Sequence, residues 1–276
     1  MNFSQRLRNA QDRSGSLLCI GLDPDERLLP PGLRGRRNPA AAFNRLIVEA
    51  TEDLVCAYKL NLAFYEAMGA GGRRALEETL AAIPSRVITI GDGKRGDIGN
   101  SSELYARALF KDLGFDACTV NPYMGRDSVE PFTADERRGA FLLAATSNPG
   151  AGDFQNLRVR GRPLYEEVIR RAVQWNTRGN IGFVVGATQP AALARACALA
   201  PGAPLLIPGI GAQGGDLPGA VRSGCDAEGR MAVLNAGRSV LYASAGRDFA
   251  EAAREAALDL HRTIGSLLPP RGDRAR

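Results

Sequence analysis

Histidine is nearly absent: the 276 residues include one, His261, in a C-terminal stretch of helical periodicity far from any motif. That excludes Ser-His-Asp and Cys-His nucleophile systems, histidine general bases and histidine-ligated metals. Lysine is almost as scarce. Only Lys59, Lys94 and Lys111 occur, and the other 32 of the 35 cationic residues are arginine. The five cysteines (Cys19, Cys56, Cys118, Cys197 and Cys225) are odd in number and scattered, with no C-x-x-C pair. They offer neither a disulfide framework nor a zinc site, and three lie in apolar runs where a thiol packs as a small hydrophobe. No apolar run approaches the ~20 residues needed to span a bilayer. The opening Met-Asn-Phe-Ser-Gln-Arg lacks the apolar core of a signal peptide. The chain therefore reads as a cytoplasmic enzyme whose chemistry comes from carboxylates, lysine, arginine, hydroxyls or backbone.

What is present is ordinary in bulk and uneven in detail. Apolar residues make up 45% and charged residues 24%, as in a soluble globular protein. The net charge of +5 comes from arginines spread over helical stretches and the Arg34 to Arg37 loop. There is no basic stripe with interleaved aromatics, so nucleic acid is not an expected partner. The surviving lysines are more informative. A chain that uses arginine almost everywhere keeps lysine where a compact ammonium must give up a proton, which arginine does not do.

Apolar β-type runs alternate with 3.6-residue periods along the chain. The strands expected are Leu17–Leu22, Val55–Leu60, Val87–Gly91, Ala117–Asn121, Ala140–Ala145, Ile181–Gly186, Pro204–Ile210 and Ala232–Ala236. Helical periods include Ala40–Leu54, Ser101–Leu113 and Leu164–Thr177, and a last helix from Asp248 to Leu268 opens on an N-cap residue type. The strands are almost wholly apolar, as parallel strands covered on both faces must be. Eight strand–helix units in a chain close to the ~250 residues of one such barrel predict an α/β fold, a closed (β/α)8 TIM barrel. No linker marks a second domain. The expectation is one catalytic barrel over residues 1–268 and a disordered tail over 269–276.

Function in such barrels sits at the C-terminal ends of the strands, and polar residues gather there. The first strand ends in Gly21-Leu22-Asp23-Pro24-Asp25, the second in Lys59-Leu60-Asn61, the third in Asp92-Gly93-Lys94-Arg95-Gly96-Asp97. The fifth runs into Thr146-Ser147-Asn148, the seventh into Gly209-Ile210-Gly211-Ala212-Gln213-Gly214-Gly215, the eighth into Asn235-Ala236-Gly237-Arg238. The seventh cluster formally matches G-x-G-x-x-G. A dinucleotide site would expect an acidic residue at the next strand end, where Asn235 stands instead. Loops after strands seven and eight commonly bind phosphate in barrels, with backbone N–H groups approaching through glycine. Gln213 and Arg238 add an amide and a guanidinium. Glycines serving only tight turns remain the alternative. In the third cluster two carboxylates flank one ammonium within six residues. If that strand is extended, Asp92 and Lys94 share a face, Asp97 lies past the Gly96 turn, and Lys59 can join the array. Such an ammonium can stabilise a developing carbanion and then protonate it.

Asp92-Gly93-Lys94-Arg95-Gly96-Asp97-Ile98-Gly99-Asn100 resembles the signature of the orotidine 5′-phosphate decarboxylases. Gly21-Leu22-Asp23-Pro24, Tyr58-Lys59-Leu60-Asn61, Thr146-Ser147-Asn148-Pro149-Gly150 and Pro208 through Gly215 resemble that family too, in its longer, bacterial-type branch. The resemblance implies cofactor-free, metal-free decarboxylation of orotidine 5′-monophosphate, a step of pyrimidine biosynthesis. Lys94 would protonate C6 as carbon dioxide leaves, Asp92 would lie near the substrate carboxylate, and Lys59 would link the carboxylates to the ribose. Asp23 would contact ribose hydroxyls, with Asn61 and Gly237 also at the substrate. Ser147 would hydrogen-bond the pyrimidine amide edge, and Gln213 and Arg238 would hold the phosphate. The family forms homodimers, which implies that Asp97 and Ser101 complete the partner's site. Gly93 stands where the family commonly has alanine, and the Asp25–Arg37 loop looks variable.

Other readings of the same residues stay open at this point. A magnesium-dependent sugar-phosphate barrel, such as a hexulose-phosphate synthase, shares D-x-K-x-x-D and would need an acidic metal ligand beside Asp92. A phosphate barrel of the tryptophan- or histidine-biosynthesis type leaves Asp92-Gly93-Lys94 idle. A nucleotide sensor would have little need for buried like charges. The Asn148–Arg162 segment, with Gly150, Gly152 and Gly161, is long enough to be a lid.

Overall fold

The computed structural model describes residues 1–211 and 215–269. Helix α1 (Phe3–Ser14) precedes β1 (Leu18–Gly21). Then follow α2 (Pro39–Thr51), β2 (Ala57–Asn61), α3 (Leu62–Ala67), α4 (Gly69–Ala82), β3 (Ile88–Arg95), α5 (Gly99–Arg107), β4 (Ala117–Val120), α6 (Arg126–Thr133) and β5 (Gly139–Ala145). A small hairpin, β6 (Arg158–Val159) with β7 (Arg162–Pro163), comes next. The chain continues through α7 (Leu164–Trp175), β8 (Ile181–Val185), α8 (Pro190–Leu199), β9 (Leu205–Pro208), α9 (Leu217–Gly224), β10 (Ala232–Ala236), α10 (Arg238–Leu241) and α11 (Phe249–Leu267). Eight strands close into a parallel barrel in the order β1-β2-β3-β4-β5-β8-β9-β10, and Leu18 pairs with Leu234 where β10 meets β1. This is the expected (β/α)8 barrel.

All eight expected strands occur, with two differences that bear on function. The third runs on to Arg95 instead of ending at Gly91, because its last residues arch away and then rejoin β4. The seventh is shorter than expected, Leu205–Pro208. The expected Ser101–Leu113 helix becomes α5 followed by a π-helical turn, Ala108–Asp112. Asp248 does precede the last helix, but its side chain makes no cap; its Oδ1 accepts from Ser244 Oγ at 2.7 Å. Of the expected tail over 269–276, only Pro269 lies among the described residues.

Two apolar layers hold the barrel. Leu18, Ile20, Tyr58, Leu60, Cys118, Val120 and their like face the helices. The alternate residues Cys19, Ala57, Ile88, Ile90, Ala117, Phe141, Val184, Leu206 and Val233 point inward, as the two-residue period of a strand dictates. Burial pushes the thiol of Cys56, at the foot of β2, up to about 12, so it remains a neutral packing group. The N-terminal mouth of this inner layer is stoppered by α1, which no strand–helix alternation anticipates. Asn2 and Gln5 form a capping box at its start, and Gly15 ends it in the left-handed region at φ 66°. Phe3 and Leu7 insert into the barrel, Phe3 edge-on to Phe141 at 5.8 Å. Gln11 ties the plug to β10, donating to the Ala232 carbonyl at 2.7 Å and accepting from Met231 N at 3.0 Å. Burying Phe3 fully contributes about 2–3 kcal/mol. With one end sealed by apolar side chains, the polar residues are left to the other.

Candidate active site

Inward positions that are apolar low in the barrel become polar at its C-terminal end. On β2 the series runs Ala57, Lys59, Asn61; on β3 Ile88, Ile90, Asp92; on β4 Ala117, Thr119; on β10 Val233, Asn235. Registers Lys59↔Ile90 and Asn61↔Asp92 set the lysine of β2 one level below the carboxylate of β3. A long lysine side chain spans that step, and Lys59 Nζ donates to Asp92 Oδ2 at 2.7 Å.

Asp92 is the centre of the site. Its Oδ1 accepts from Lys94 Nζ at 2.7 Å and from Thr119 Oγ1 at 2.8 Å. The sequence suggested an ammonium between two carboxylates; within this chain the arrangement is a carboxylate between two ammoniums. The extended-strand expectation for Asp92-Gly93-Lys94 is also corrected. The β3–β4 pairing breaks after Gly91↔Cys118 and resumes at Arg95↔Val120, and Lys94 takes a left-handed φ of 46°. The bulge turns Lys94 back toward Asp92. Gly93, at the crest, presses its α-carbon near Leu62: a Cβ there would lie 2.8 Å from Leu62 Cδ1.

Burial penalises every charge here, so the pairing decides ionisation. For Asp92, burial pushes the carboxyl up, but the Lys59 and Lys94 ammoniums outweigh it and hold the group well below the usual carboxylate range. For Lys59, burial pulls down, while the charges of Asp23 and Asp92 prevail and hold it well above its usual value. Asp23 is the outer member: its Oδ2 lies 3.9 Å from Lys59 Nζ and its Oδ1 accepts from Asn61 N at 2.9 Å. The two lysines differ in access. The Lys59 side chain is 5% exposed and that of Lys94 49%.

These groups form one end of a cavity of about 560 Å³, the size of a small-molecule site. Of the residues singled out from the sequence, Asp23, Lys59, Asn61, Asp92, Lys94, Ser147, Gly237 and Arg238 line it. Ser147 packs tightly there because Gly186 follows β8, and a Cβ at that glycine would lie 2.8 Å from that of Ser147. Gly209, Ile210, Gly237 and Arg238, from the ends of β9 and β10, also line the cavity. Gly209 and Gly211 adopt φ of 100° and 87°, conformations that glycine alone adopts freely. Gln213 lies outside the described residues.

Asp97 and Ser101 do not line the cavity. Asp97 Oδ1 accepts from Ile98 N at 2.8 Å, and Ser101 is exposed on α5. Sequence reasoning missed Thr119, Phe64 and Gln155, which do line it. Gln155 belongs to the segment expected to be a lid. Its Oε1 accepts from Thr146 N and its Nε2 donates to Thr146 Oγ1, both at 2.8 Å, so the segment is laced to the end of β5. Among the described residues no cluster of histidine, cysteine, aspartate or glutamate is placed to hold a metal ion.

Comparison with known proteins bears directly on this geometry. The family described as orotidine 5′-phosphate decarboxylase / HUMPS matches residues 16–256. The chain belongs to that family. Proteins named orotidine 5′-phosphate decarboxylase from Dehalococcoides mccartyi and Thermomicrobium roseum are 48% and 49% identical, over 96% of this chain and 97% and 95% of their own. Among solved structures, Leishmania donovani OMP decarboxylase superposes with a TM-score of 0.82 at 38% identity, covering 96% of this chain and 99% of that one. Leishmania donovani UMP synthase gives 0.87 at 40% identity over 97% of this chain, which spans 56% of that longer protein. The decarboxylase family's barrel is thus the frame in which the Lys59–Asp92–Lys94 array stands.

Proposed function

We propose that the chain is a carboxy-lyase converting orotidine 5′-monophosphate to uridine 5′-monophosphate and carbon dioxide, with Lys94 as proton donor. The carrying observation is a buried carboxylate, Asp92, gripped by two ammoniums in the lining of the cavity. The pyrimidine stacks its reactive edge there, and the phosphate reaches the Gly209, Gly237 and Arg238 end.

The chemistry follows from that placement. The bond from C6 to the carboxylate breaks, carbon dioxide departs and the electron pair stays on C6. Lys94 stands over the developing charge as a preorganised cation. Its N–H bond then breaks, the proton passes to C6, and the neutral amine regains a proton from water. Asp92 repels the substrate carboxylate while fixing Lys94, and Lys59 keeps Asp92 ionised. Asp23 reads ribose hydroxyls, with Asn61 beside it, and Ser147 reads the amide edge of the base. Arg238 pairs with the phosphate, whose binding energy holds the reacting end in place. The reading calls for no cofactor and no metal.

The proposal extends to a homodimer in which Asp97 and Ser101 complete the partner's site. Both lie off the cavity of their own chain, beside exposed apolar side chains: Ile98, Leu104, Tyr105, Tyr123 and Met124. Surfaces of that kind on soluble proteins mark association sites. A cytoplasmic enzyme fits the chain, in which no described helix is long and apolar enough to cross a membrane.

The test follows loss of the orotate chromophore with purified protein, excess chelator and orotidine 5′-monophosphate. The expected result is turnover in chelator that Lys94→Ala lowers by at least ~10²–10⁴, the range of proton-transfer catalysis. No turnover by folded wild-type protein returns the site to the sugar-phosphate members of the family, to be tried with magnesium.

A further inference from the structure

Strand β4 carries a residue that its place in the fold does not explain. A valine would fill the space of buried Thr119 (1% exposed), so packing accounts for its shape and leaves its hydroxyl unexplained. Thr119 lies opposite the bulge. Between Cys118 and Val120 it faces the stretch of β3 from Asp92 to Lys94 that has left the ladder.

Its one hydroxyl does two things. It donates to Asp92 Oδ1 at 2.8 Å and accepts from Lys94 N at 2.9 Å. The direction is fixed, because an amide N–H can only donate, so the hydroxyl proton is left for the carboxylate. The left-handed φ of 46° at Lys94 is unfavourable for a residue with a Cβ and persists only where its surroundings hold it. That hydroxyl is the described partner of the peptide N–H stranded there.

We propose that Thr119 is a positioning residue of the reaction, setting the carboxylate of Asp92 and the main chain of Lys94 in one fixed relation. Asp92 Oδ1 has two donors, and one of them, Lys94, gives its charge away during turnover. Thr119 is the donor that stays on that oxygen while the proton moves, so Asp92 cannot rotate after the departing ammonium. Because the Thr119 hydroxyl is taken up by Asp92 and Lys94, its effect falls on the chemical step rather than on substrate binding.

This inference rests on the decarboxylase reading. Wild-type protein that leaves orotidine 5′-monophosphate intact removes both, before any variant is compared. With active wild type, Thr119→Val is expected to lower kcat on the order of 10- to 100-fold, the size of a lost hydrogen bond to a charged group. KM and the affinity for uridine 5′-monophosphate, read by thermal-shift titration, should stay within about threefold. Thr119→Ser, which keeps the hydroxyl, should regain most of the rate. If Thr119→Val does not fold, Thr119→Ser against Thr119→Ala isolates the hydroxyl in the same way. Equal rates for Ser and Ala, wild-type kcat in Thr119→Val, or a loss confined to KM overturns the inference and leaves the decarboxylase reading standing.

Discussion

Lys59 and Asp92 form a buried ion pair at 2.7 Å between adjacent strands, with Asp23 as a more distant third charge. Removing one member leaves a buried charge short of its partner. Lys59→Ala is expected to lower folding stability by about 3–5 kcal/mol and to abolish turnover, measured by urea unfolding and the chromophore assay. Lys94→Ala, cut from a half-exposed side chain, should lower turnover with little loss of stability. Equal unfolding midpoints for the two variants would contradict this asymmetry.

The same pair sets a pH dependence with two opposite signs. The folded state holds Asp92 below its ordinary 3.8, so its contribution is complete above that value and is lost as pH falls beneath it. Lys59 is held above its ordinary 10.5, so its contribution is complete below that value and is lost as pH rises beyond it. The stability gap between wild type and Lys59→Ala should therefore be flat from about pH 5 to 9 and narrow outside it. A gap that changes across neutrality would point to another titrating group.

Arg238, just past the end of β10, lines the cavity and is the proposed partner of the phosphate. Arg238→Ala should raise KM for orotidine 5′-monophosphate by about 10- to 100-fold, as loss of a charge-assisted contact does. Turnover of orotidine, which lacks the phosphate, should be unchanged by the substitution. A matching loss on both substrates would place Arg238 elsewhere than on phosphate.

A site shared between subunits can be rebuilt from two damaged ones. Lys94→Ala and Asp97→Ala chains, each inactive alone, should regain about one quarter of wild-type activity after unfolding and refolding together. That fraction follows because half the random dimers are hybrids with one intact site of two. No recovery, with hybrids shown by mass, would count against the assignment of Asp97.

Gly139 lies under Phe3, and a Cβ there would come within 2.5 Å of the ring. Gly139→Ala should cost about 1–3 kcal/mol of stability, seen as a lower thermal midpoint. Turnover at 25 °C should persist, because the strain is at the stoppered end. A loss of turnover without a loss of stability would contradict that separation.

How far the sequence carries can be argued from particular residues. Period-two apolar runs reveal strands, and the glycine and charge clusters at their ends reveal a rim, so the barrel and eight lining residues could be read directly. Thr119 could have been found as a polar residue on an inward apolar face. The bulge could not: a left-handed lysine has no signature of the kind glycine gives, and the break arises from pairing with β4. The α1 plug was hidden for a related reason. Phe3 and Leu7 read as ordinary apolar residues until the barrel exists for them to close. Ser101 was named by resemblance alone and Asp97 by its place in the third cluster as well, and the cavity of their own chain reaches neither.

The unequal exposure of Lys59 and Lys94 has an isotopic consequence. In heavy water, Lys94 meets solvent between one turnover and the next, so each product molecule should carry one deuterium at C6. Lys59, 5% exposed and bonded to Asp92, lies beneath it and delivers no hydrogen to C6. Two lysines on one carboxylate thus part in isotopic terms: one writes the solvent's label into product and the other leaves no trace there.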